Sequence, residues 1–190
     1  MKRIVIFASG SGSNAENIIT YFQNKGNAEV VQVLTNNPQA TVLDRCKRLK
    51  VSAFSFNRTA FYTKDHVLSH TQQLNPDLIV LAGFLWKIPE NFVHAFPNKI
   101  INIHPALLPK YGGKGMYGQH VHEAVVNNKE TETGITIHFV NERYDEGNII
   151  FQVSCEVNPY DSAEDVASKI HELEMIHFPN VIESILTSNG

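Results

Sequence analysis

The sequence predicts a single-domain α/β fold: a Rossmann-like, mostly parallel sheet with an antiparallel C-terminal part and helices on both faces. Its length of 190 residues suits one domain. Over the first hundred or so residues, short apolar runs alternate with segments of helical spacing, as in a doubly wound sheet. A glycine-rich turn at residues 10–14 follows the first apolar run.

Residues 4–8 are continuously apolar and rich in β-branched side chains, which predicts a buried parallel strand. Similar runs predict further strands at residues 29–35, 53–56, 78–82 and 99–103. Helical spacing between these runs predicts helices at residues 15–24, 41–49, 62–74 and 89–95.

The pattern changes after the fifth strand. Residues 105–119 form a long glycine-containing loop, and loops of this length inside a compact domain are usually functional. A helix at 120–127 is followed by two strands, 134–141 and 148–156, which flank a turn at 142–147. The last helix is predicted from Ser162 to Ile185, and Pro179 should kink or split it.

Composition limits the classes of partner. The chain is 43% hydrophobic and 18% charged with a net charge of −3, which gives no indication of nucleic-acid or membrane binding. Its first apolar run is too short for a signal peptide, and none approaches the roughly 20 residues of a membrane span. Cys46 and Cys155 lie far apart without metal-type spacing, so we expect a reduced, cytoplasmic protein.

The glycine-rich turn has the position of an anion site. It lies between a strand and a helix, where free backbone N–H groups and the positive end of the helix meet. A dinucleotide site would also need a carboxylate after the second strand, where this chain has Thr35, Asn36 and Asn37. A single phosphate is therefore favoured over NAD, and the alternative is a turn that simply needs glycine.

Asn102 and His104 are the first candidates for chemistry. They lie one residue apart at the end of the fifth predicted strand, so their side chains point to the same face. An amide donor beside an acid–base group suits a reaction through a tetrahedral oxyanion. The alternative is an Asn that holds a loop and a His that is merely hydrogen-bonded.

Asp145 is the candidate for the carboxylate that sets the charge of His104. It lies in the turn at residues 142–147, where Gly147 should permit an unusual backbone conformation. A carboxylate beside an imidazole raises its pKa and favours the cation. A solvent-exposed turn residue is the alternative interpretation.

Several motifs occur together at the spacing of one family. They are Gly-Ser-Gly-Ser-Asn at 10–14, Leu-Ala-Gly-Phe at 81–84, Asn-Ile-His-Pro-Ala-Leu-Leu-Pro-Lys-Tyr at 102–111, His-Phe-Val at 138–140 and Asp-x-Gly at 145–147. With them the whole chain resembles the phosphoribosylglycinamide formyltransferases (glycinamide ribonucleotide transformylases) in their single-domain bacterial form. The fold that this resemblance implies is the formyltransferase fold.

The resemblance implies transfer of a formyl group from 10-formyltetrahydrofolate, a co-substrate, to the amine of glycinamide ribonucleotide in de novo purine synthesis. It makes Asn102, His104 and Asp145 the catalytic residues, with direct attack by the amine, no covalent enzyme intermediate and no metal. Asn102 and a protonated His104 would stabilise the oxyanion. Asp145 would keep His104 charged and help to move the amine proton.

The resemblance also implies binding residues. Gly12, Ser13 and Asn14 would bind the substrate phosphate. Glu174 would hold the ribose, although an exposed helix charge is the commoner role for such a residue. The folate would lie against a wall formed by Phe84, Leu85, Trp86, Lys87 and Ile88.

Some positions depart from the family pattern. Leu85, Trp86 and Lys87 occupy a segment where many members have an arginine, so recognition of the folate tail should differ. The family arginine that faces the phosphate or the folate, before the third helix, has no clear counterpart here. Lys64 or Arg58 could serve instead, and Lys64 is preferred, as a folate-binding residue.

The segment after the predicted strand at 99–103 also differs. Ala106 replaces a serine, the loop at 112–118 looks longer than usual, and the chain ends soon after its last helix. His120 and His122 match a family His-x-His, and a metal site there is disfavoured because no third ligand is evident.

Three other functions compete. Methionyl-tRNA formyltransferase shares the Asn-x-His-Pro strand and the Asp, but it has an added C-terminal domain and basic surfaces. Formyltetrahydrofolate deformylase adds a regulatory domain at the front. A non-catalytic nucleotide-binding module would leave Asn102, His104 and Asp145 without a role. We expect small-molecule substrates and a monomer or weak homodimer.

Overall fold

The structure, a computed structural model, describes residues 1–188. Its centre is one sheet of seven strands. The strands are β1 Lys2–Phe7, β2 Ala28–Thr35, β3 Ala53–Ser55, β4 Leu78–Leu81, β5 Ile100–His104, β6 Glu132–Phe139 and β7 Ile149–Glu156. Their order across the sheet is β3-β2-β1-β4-β5-β6-β7. The first five strands pair in parallel, and β6 and β7 pair antiparallel, which confirms the predicted sheet.

The strand order reverses between β1 and β4. From β1 the chain builds outward through β2 to β3, then returns to the other side of β1 with β4 and β5. Loops that leave the carboxyl ends of β1 and β4 therefore diverge, and a crevice opens between them. Both the glycine-rich turn and the predicted folate wall are such loops.

Six α-helices flank the sheet in the described part of the chain. They are α1 Ser13–Lys25, α2 Val42–Leu49, α3 His66–Leu74, α4 Glu90–Ala95, α5 Gln119–Asn127 and α6 Ala163–Ser188. The prediction of one helix over 62–74 is wrong at its start. A π-helical turn, Thr59–Thr63, ends before α3 because Asp65 takes a left-handed φ of 51°. None of the helices within residues 1–188 has the length and apolarity needed to cross a membrane.

Both faces of the central strands are buried, as their continuous apolar runs predict. In β1, Ile4 and Ile6 join one hydrophobic cluster with residues of α1 and α6, while Val5 and Phe7 join a second with residues of α3 and α4. Successive side chains of a strand point to opposite faces, so one strand anchors two cores. Because the central strands are covered on both sides, the crevice at their carboxyl edge is held by rigid elements.

Pro179 lies inside α6, which is not split there. Proline has no N–H, so the carbonyl of Met175, four residues earlier, loses its partner within the helix. The Asn17 side chain of α1 supplies the missing donor, since its Nδ2 lies 2.8 Å from that carbonyl oxygen. A contact between two helices thus satisfies the backbone group that the proline leaves free.

The turn between β6 and β7 differs from its prediction in detail. Asp145 itself takes the positive φ, 55°, rather than Gly147. A Cβ at Gly147 would come within 1.6 Å of the carbonyl oxygen of Phe139, so glycine is required there for close backbone approach. This tight return of the chain brings Asp145 against β5.

Candidate active site

A cavity of about 830 Å³ lies at the carboxyl edge of the sheet, where the strand order reverses. The turn after β1, the loop after β4, the end of β5, the loop before α5, the β6–β7 turn and α6 all contribute to it. The predicted site residues that line it are Gly12, Ser13, Asn14, Phe84, Leu85, Trp86, Lys87, Ile88, Asn102, His104, Asp145 and Glu174.

Asn102 is paired with a histidine that the sequence analysis did not select. Asn102 of β5 lies directly opposite His138 of β6 in the antiparallel ladder. His138 Nδ1 lies 2.9 Å from the carbonyl oxygen of Phe139, which can only accept, so Nδ1 carries a hydrogen. His138 Nε2 therefore accepts from the Asn102 side-chain nitrogen, 3.2 Å away, and this contact orients the amide.

His104 is buried between a backbone carbonyl and a carboxylate. Its Nε2 donates to the carbonyl oxygen of Tyr111 over 2.7 Å. Its Nδ1 lies 3.6 Å from Asp145 Oδ2, and His104 is only 3% exposed. Asp145 Oδ1 is also 3.6 Å from His138 Nε2, so one carboxylate faces both imidazoles.

Burial dominates the protonation of His104. Desolvation lowers the pKa of His104, and the neighbouring charge of Asp145 and the hydrogen bond to Tyr111 offset it only in part. The net pKa is below the ordinary value, so the expected rise is not found. A lowered pKa favours the neutral imidazole at neutral pH, and the contact with the Tyr111 carbonyl places its hydrogen on Nε2.

Asp145 remains ionised although it is largely buried. Desolvation alone would raise the pKa of Asp145, but the two histidine rings that face it, each 3.6 Å away, and the backbone N–H of Gly113 together hold the pKa below its ordinary value. Gly113 N lies 2.9 Å from Asp145 Oδ2. The site therefore combines a carboxylate with a neutral imidazole whose Nδ1 lone pair is on the carboxylate side.

The glycine-rich turn and α6 meet at the other end of the cavity. Gly12 is the N-cap of α1 with a φ of 74°, and a Cβ there would come within 2.4 Å of the Val42 side chain. Asn14 does not cap the helix; its Nδ2 donates to Glu174 Oε2 over 2.8 Å. Burial raises the pKa of Glu174, with partial offsets from Asn14 and His171.

The first N–H groups of α1 make this turn suited to an anion. The first four N–H groups of a helix lack partners within the helix, and here they belong to the start of α1, beside Ser13. Asn14 Oδ1 is buried and has no hydrogen-bond partner among residues 1–188, so it can accept from a ligand hydroxyl or amine. Arg45 also contacts this turn, because its Nε donates to the carbonyl oxygen of Ser11 over 2.7 Å.

Residues 84–88 form one wall of the cavity, which is apolar except for Lys87. Ser9 fixes the start of this wall, because its hydroxyl accepts from the backbone N–H of Leu85 over 2.9 Å. Phe84 packs edge-on against Phe7 of β1, with ring centroids 5.3 Å apart. Lys87 Nζ lies 5.6 Å from the ring centroid of Tyr144, so the wall also contacts the turn that carries Asp145.

Lys64 does not line the cavity, whereas Arg58 lies next to it. The Arg58 guanidinium stacks over the ring of Trp86 at 4.6 Å. Trp86 lines both the main cavity and a neighbouring groove of about 770 Å³, and Arg58 lines that groove. Of the two cations considered from the sequence, the structure therefore brings Arg58, and not Lys64, next to the wall at residues 84–88.

The two histidines of the His-x-His motif point in different directions. His122 is buried and lines the cavity, and burial lowers its pKa. His120 is exposed and packs on Tyr117. Within residues 1–188, no group of three or more His, Cys, Asp or Glu side chains is arranged to hold a metal ion.

Two contacts of the site were not foreseen. His138 appeared in a family motif but was not chosen as a site residue; its position opposite Asn102 depends on the β5–β6 register, which one sequence does not reveal. Tyr111 takes part through its backbone carbonyl, and such a role leaves no signal in side-chain patterns.

Comparison with known proteins agrees with this geometry. Residues 2–182 match the family model described as formyl transferase. A Bacillus subtilis protein named phosphoribosylglycinamide formyltransferase is 34% identical over 195 residues, which cover 100% of this chain and 97% of the relative. A Haemophilus influenzae protein of the same name is 35% identical over 188 residues, covering 96% of this chain and 86% of the relative.

Solved structures give the same result. The crystal structure of phosphoribosylglycinamide formyltransferase from Bacillus halodurans superposes with a TM-score of 0.89 at 32% identity, covering 100% of this chain and 97% of the other. The enzyme of that name from Anaplasma phagocytophilum also gives a TM-score of 0.89, at 30% identity and with 98% of this chain and 88% of the other covered. The chain belongs to the formyl transferase family.

Proposed function

We propose that this protein transfers the formyl group of 10-formyltetrahydrofolate to the amine of glycinamide ribonucleotide, giving formylglycinamide ribonucleotide and tetrahydrofolate in de novo purine synthesis. The observation that carries the proposal is one cavity with two chemically distinct ends. Asn102, His104 and Asp145 converge at one end, and the glycine-rich turn and Glu174 meet at the other. The names of the full-length relatives support the same substrate.

The reaction begins with attack of the substrate amine on the formyl carbon. A C–N bond forms, the carbonyl π electrons move to oxygen, and no covalent enzyme intermediate is needed. The Asn102 amide, oriented by its contact with His138, donates its other N–H to the developing oxyanion. A donor of this kind is worth about 3–4 kcal/mol in the transition state.

The protonation state of His104 defines the proton route. Because its hydrogen is on Nε2, the lone pair at Nδ1 accepts the proton that the attacking nitrogen loses, directly or through water. The imidazolium that forms is stabilised by Asp145 and in turn donates to the oxyanion. The oxyanion then re-forms the carbonyl, the bond between the formyl carbon and N10 of the folate breaks with its electron pair on N10, and the proton from the imidazolium passes to N10.

Binding at the other end fixes the amine relative to this centre. The backbone N–H groups at residues 12–14 and the Ser13 hydroxyl bind the phosphate at the positive end of α1. Glu174 accepts from the ribose hydroxyls, with Asn14 beside it. Holding the substrate at two points converts an encounter between two reactants into an oriented one.

The folate lies along the wall at residues 84–88. Apolar side chains there, including Phe84 and Ile88, suit a flat aromatic ring system. The tail of the folate carries carboxylates, and Arg58, stacked on Trp86 in the neighbouring groove, is a cation that can meet them. Arg58 therefore takes the role for which Lys64 was first preferred.

We expect activity as a monomer or weak homodimer. The two free cysteines, Cys46 and Cys155, agree with a reducing, cytoplasmic compartment. The burial of Cys46 raises the pKa of its thiol to about 11, which makes it unreactive.

The test is formyl transfer by the purified protein with 10-formyltetrahydrofolate and either glycinamide ribonucleotide or free glycinamide. We expect turnover with the ribonucleotide and a large loss with free glycinamide, because the phosphate and ribose contacts are missing. The His104→Ala variant should lose most of the turnover while it still binds the ribonucleotide. Equal rates with both acceptors, or an active His104→Ala variant, would contradict the proposal.

A further inference from the structure

We propose that residues 111–113 act as a strap that fixes His104 relative to Asp145, and that Tyr111 is the positioning residue that anchors it. The expected effect of this strap on catalysis rests on the proposed function, whereas the strap itself rests on two contacts seen in the structure. The carbonyl oxygen of Tyr111 accepts from His104 Nε2 over 2.7 Å, and the N–H of Gly113 donates to Asp145 Oδ2 over 2.9 Å.

The strap thus contacts both members of the pair from one short piece of backbone. His104 belongs to β5 and Asp145 to the β6–β7 turn, and His104 Nδ1 lies 3.6 Å from Asp145 Oδ2. That distance exceeds a good hydrogen bond, so the direct contact alone does not fix the imidazole. The two strap contacts are shorter and determine where each side chain lies.

The strap also selects the nitrogen that exchanges protons. A carbonyl only accepts, so the contact with Tyr111 keeps a hydrogen on His104 Nε2 and leaves Nδ1 as the basic atom. Nδ1 is the nitrogen on the side of Asp145. The other titratable group that faces the pair is His138, 3.6 Å from the second oxygen of Asp145.

Glycine in the middle of the strap allows this close approach. A Cβ at Gly112 would come within 2.6 Å of the Leu108 side chain and 3.4 Å of the Asp145 Cβ. Residue 112 therefore packs its backbone against the turn that carries the carboxylate, and a side chain there would push the strap away from Asp145.

The anchor is the phenol of Tyr111, at the far side of the strap. Its hydroxyl donates to Glu130 Oε1 and accepts from Asn128 Nδ2, both at 2.9 Å. Lys110 Nζ lies 3.2 Å from Glu130 and completes the cluster. These partners lie between α5 and β6, so the anchor ties the strap to the frame of the fold.

The backbone of Tyr111 needs such an anchor. Its φ is 56°, a left-handed conformation that an aromatic residue rarely adopts without compensation. The same conformation directs the carbonyl to His104. Loss of the phenol contacts should therefore let residue 111 relax and withdraw the acceptor from Nε2.

The test compares Tyr111→Phe with Tyr21→Phe. Tyr21 also donates its hydroxyl to a glutamate, Glu183, but it lies on α1 outside the cavity lining, so it is the matched control. For Tyr111→Phe we expect kcat to fall about tenfold, with KM for both substrates within about twofold, because the reacting groups move and the binding ends do not. The acid limb of the pH profile should also shift, since the His104 environment changes.

Nitrogen-15 NMR of the histidine rings gives a readout that needs no substrate. The wild type and Tyr21→Phe should show His104 with its hydrogen on Nε2, and Tyr111→Phe should show a mixture of tautomers. This readout separates a failed strap from a failed proposed function, because it reports the imidazole even if no formyl transfer occurs. Glu130→Gln keeps an oxygen acceptor for the phenol, so this variant should retain the wild-type tautomer and kcat. Glu130→Ala removes the acceptor and should lose both.

Thermal melts show whether each variant is folded. If Tyr111→Phe does not fold, Asn128→Ala removes one of the two phenol contacts and is measured in its place, with an expected loss in the same direction. The proposal is overturned if the folded variant keeps the kcat, acid limb and tautomer of Tyr21→Phe, or if the wild-type protein itself carries the hydrogen on Nδ1.

Discussion

Asn14 and Glu174 are joined by a 2.8 Å hydrogen bond although they lie 160 positions apart in the chain. Asn14 belongs to the first turn of α1 and Glu174 to the middle of α6, so the bond closes one end of the cavity. Glu174 is largely buried, and burial raises its pKa despite this bond. A carboxylate kept in such a place costs stability at neutral pH and is therefore expected to serve a ligand.

Glu174→Gln should stabilise the ligand-free protein and weaken substrate binding. A raised pKa means that the folded state binds the proton more tightly, so the stability contribution falls as pH rises from the ordinary value of 4.5 through the raised pKa. Removing the charge should add about 0.5–2 kcal/mol to the free energy of unfolding at pH 7. KM for glycinamide ribonucleotide should rise about tenfold, since a hydrogen bond to a charged group is lost.

Glu183→Gln is the matched control on the same helix. Glu183 accepts from Tyr21 and Asn27, and these contacts lower its pKa, so neutralising it should slightly destabilise the protein and leave KM unchanged. Thermal melts at pH 4 and pH 7 with steady-state kinetics measure both effects. A loss of stability in Glu174→Gln at pH 7 would contradict the assigned cause of the pKa shift.

Asp145→Asn should move the acid limb of kcat/KM to lower pH. Burial already lowers the pKa of His104, and the charge of Asp145 partly offsets it, so removing that charge lowers the pKa further. The neutral, basic form of His104 then persists to lower pH. We also expect kcat to fall by on the order of 10²–10³, because the imidazolium loses its counter-charge.

The matched control for Asp145→Asn is Glu142→Gln, in the same turn but paired with His94 at the surface. Glu142→Gln should leave both the acid limb of kcat/KM and kcat itself unchanged. A limb that stays in place or moves to higher pH in Asp145→Asn would show that His104 is not the base.

Asn17→Ala should lower the stability of the protein, because Asn17 replaces the backbone donor that Pro179 lacks. The variant leaves the Met175 carbonyl without its donor, which should lower the free energy of unfolding by about 1–3 kcal/mol. In a Pro179→Ala background the helix supplies its own N–H to that carbonyl, so Asn17→Ala should cost much less. Denaturant titrations of the four proteins give the coupling energy, and strictly additive losses would contradict this account.

Arg58→Gln should raise KM for the folate, by about fivefold, and leave KM for the ribonucleotide unchanged. The guanidinium is held on Trp86 at 4.6 Å, and an exposed ion pair with a tail carboxylate is worth up to about 1 kcal/mol. Lys64→Gln is the comparison, because Lys64 does not line the cavity. Steady-state kinetics that show the reverse order of effects would restore Lys64 as the tail-binding cation.

The sequence predicted the sheet because its strands are fully apolar and separated by clear stop signals. Continuous runs such as residues 78–82 have no polar face, which is typical of a central parallel strand. The break inside 62–74 was missed because it depends on a left-handed Asp65, and no side-chain pattern demanded that conformation.

The part of the site that could be predicted is the part whose geometry follows from local secondary structure. Asn102 and His104 share a face through strand alternation alone, and both line the cavity. The lowered pKa of His104 was not predictable, because it depends on how deeply the ring is buried. The contact of His138 with Asn102 and the contact of Tyr111 with His104 depend on tertiary structure for the same reason.

The most direct test of the account is a crystal structure with glycinamide ribonucleotide and a non-reactive folate analogue bound together. We expect the phosphate against the backbone N–H groups at residues 12–14. We also expect the substrate amine within hydrogen-bond reach of His104 Nδ1, and the carbonyl-like oxygen of the analogue within hydrogen-bond reach of the Asn102 amide. A phosphate bound elsewhere, or reacting groups separated from His104 by more than one water molecule, would contradict it.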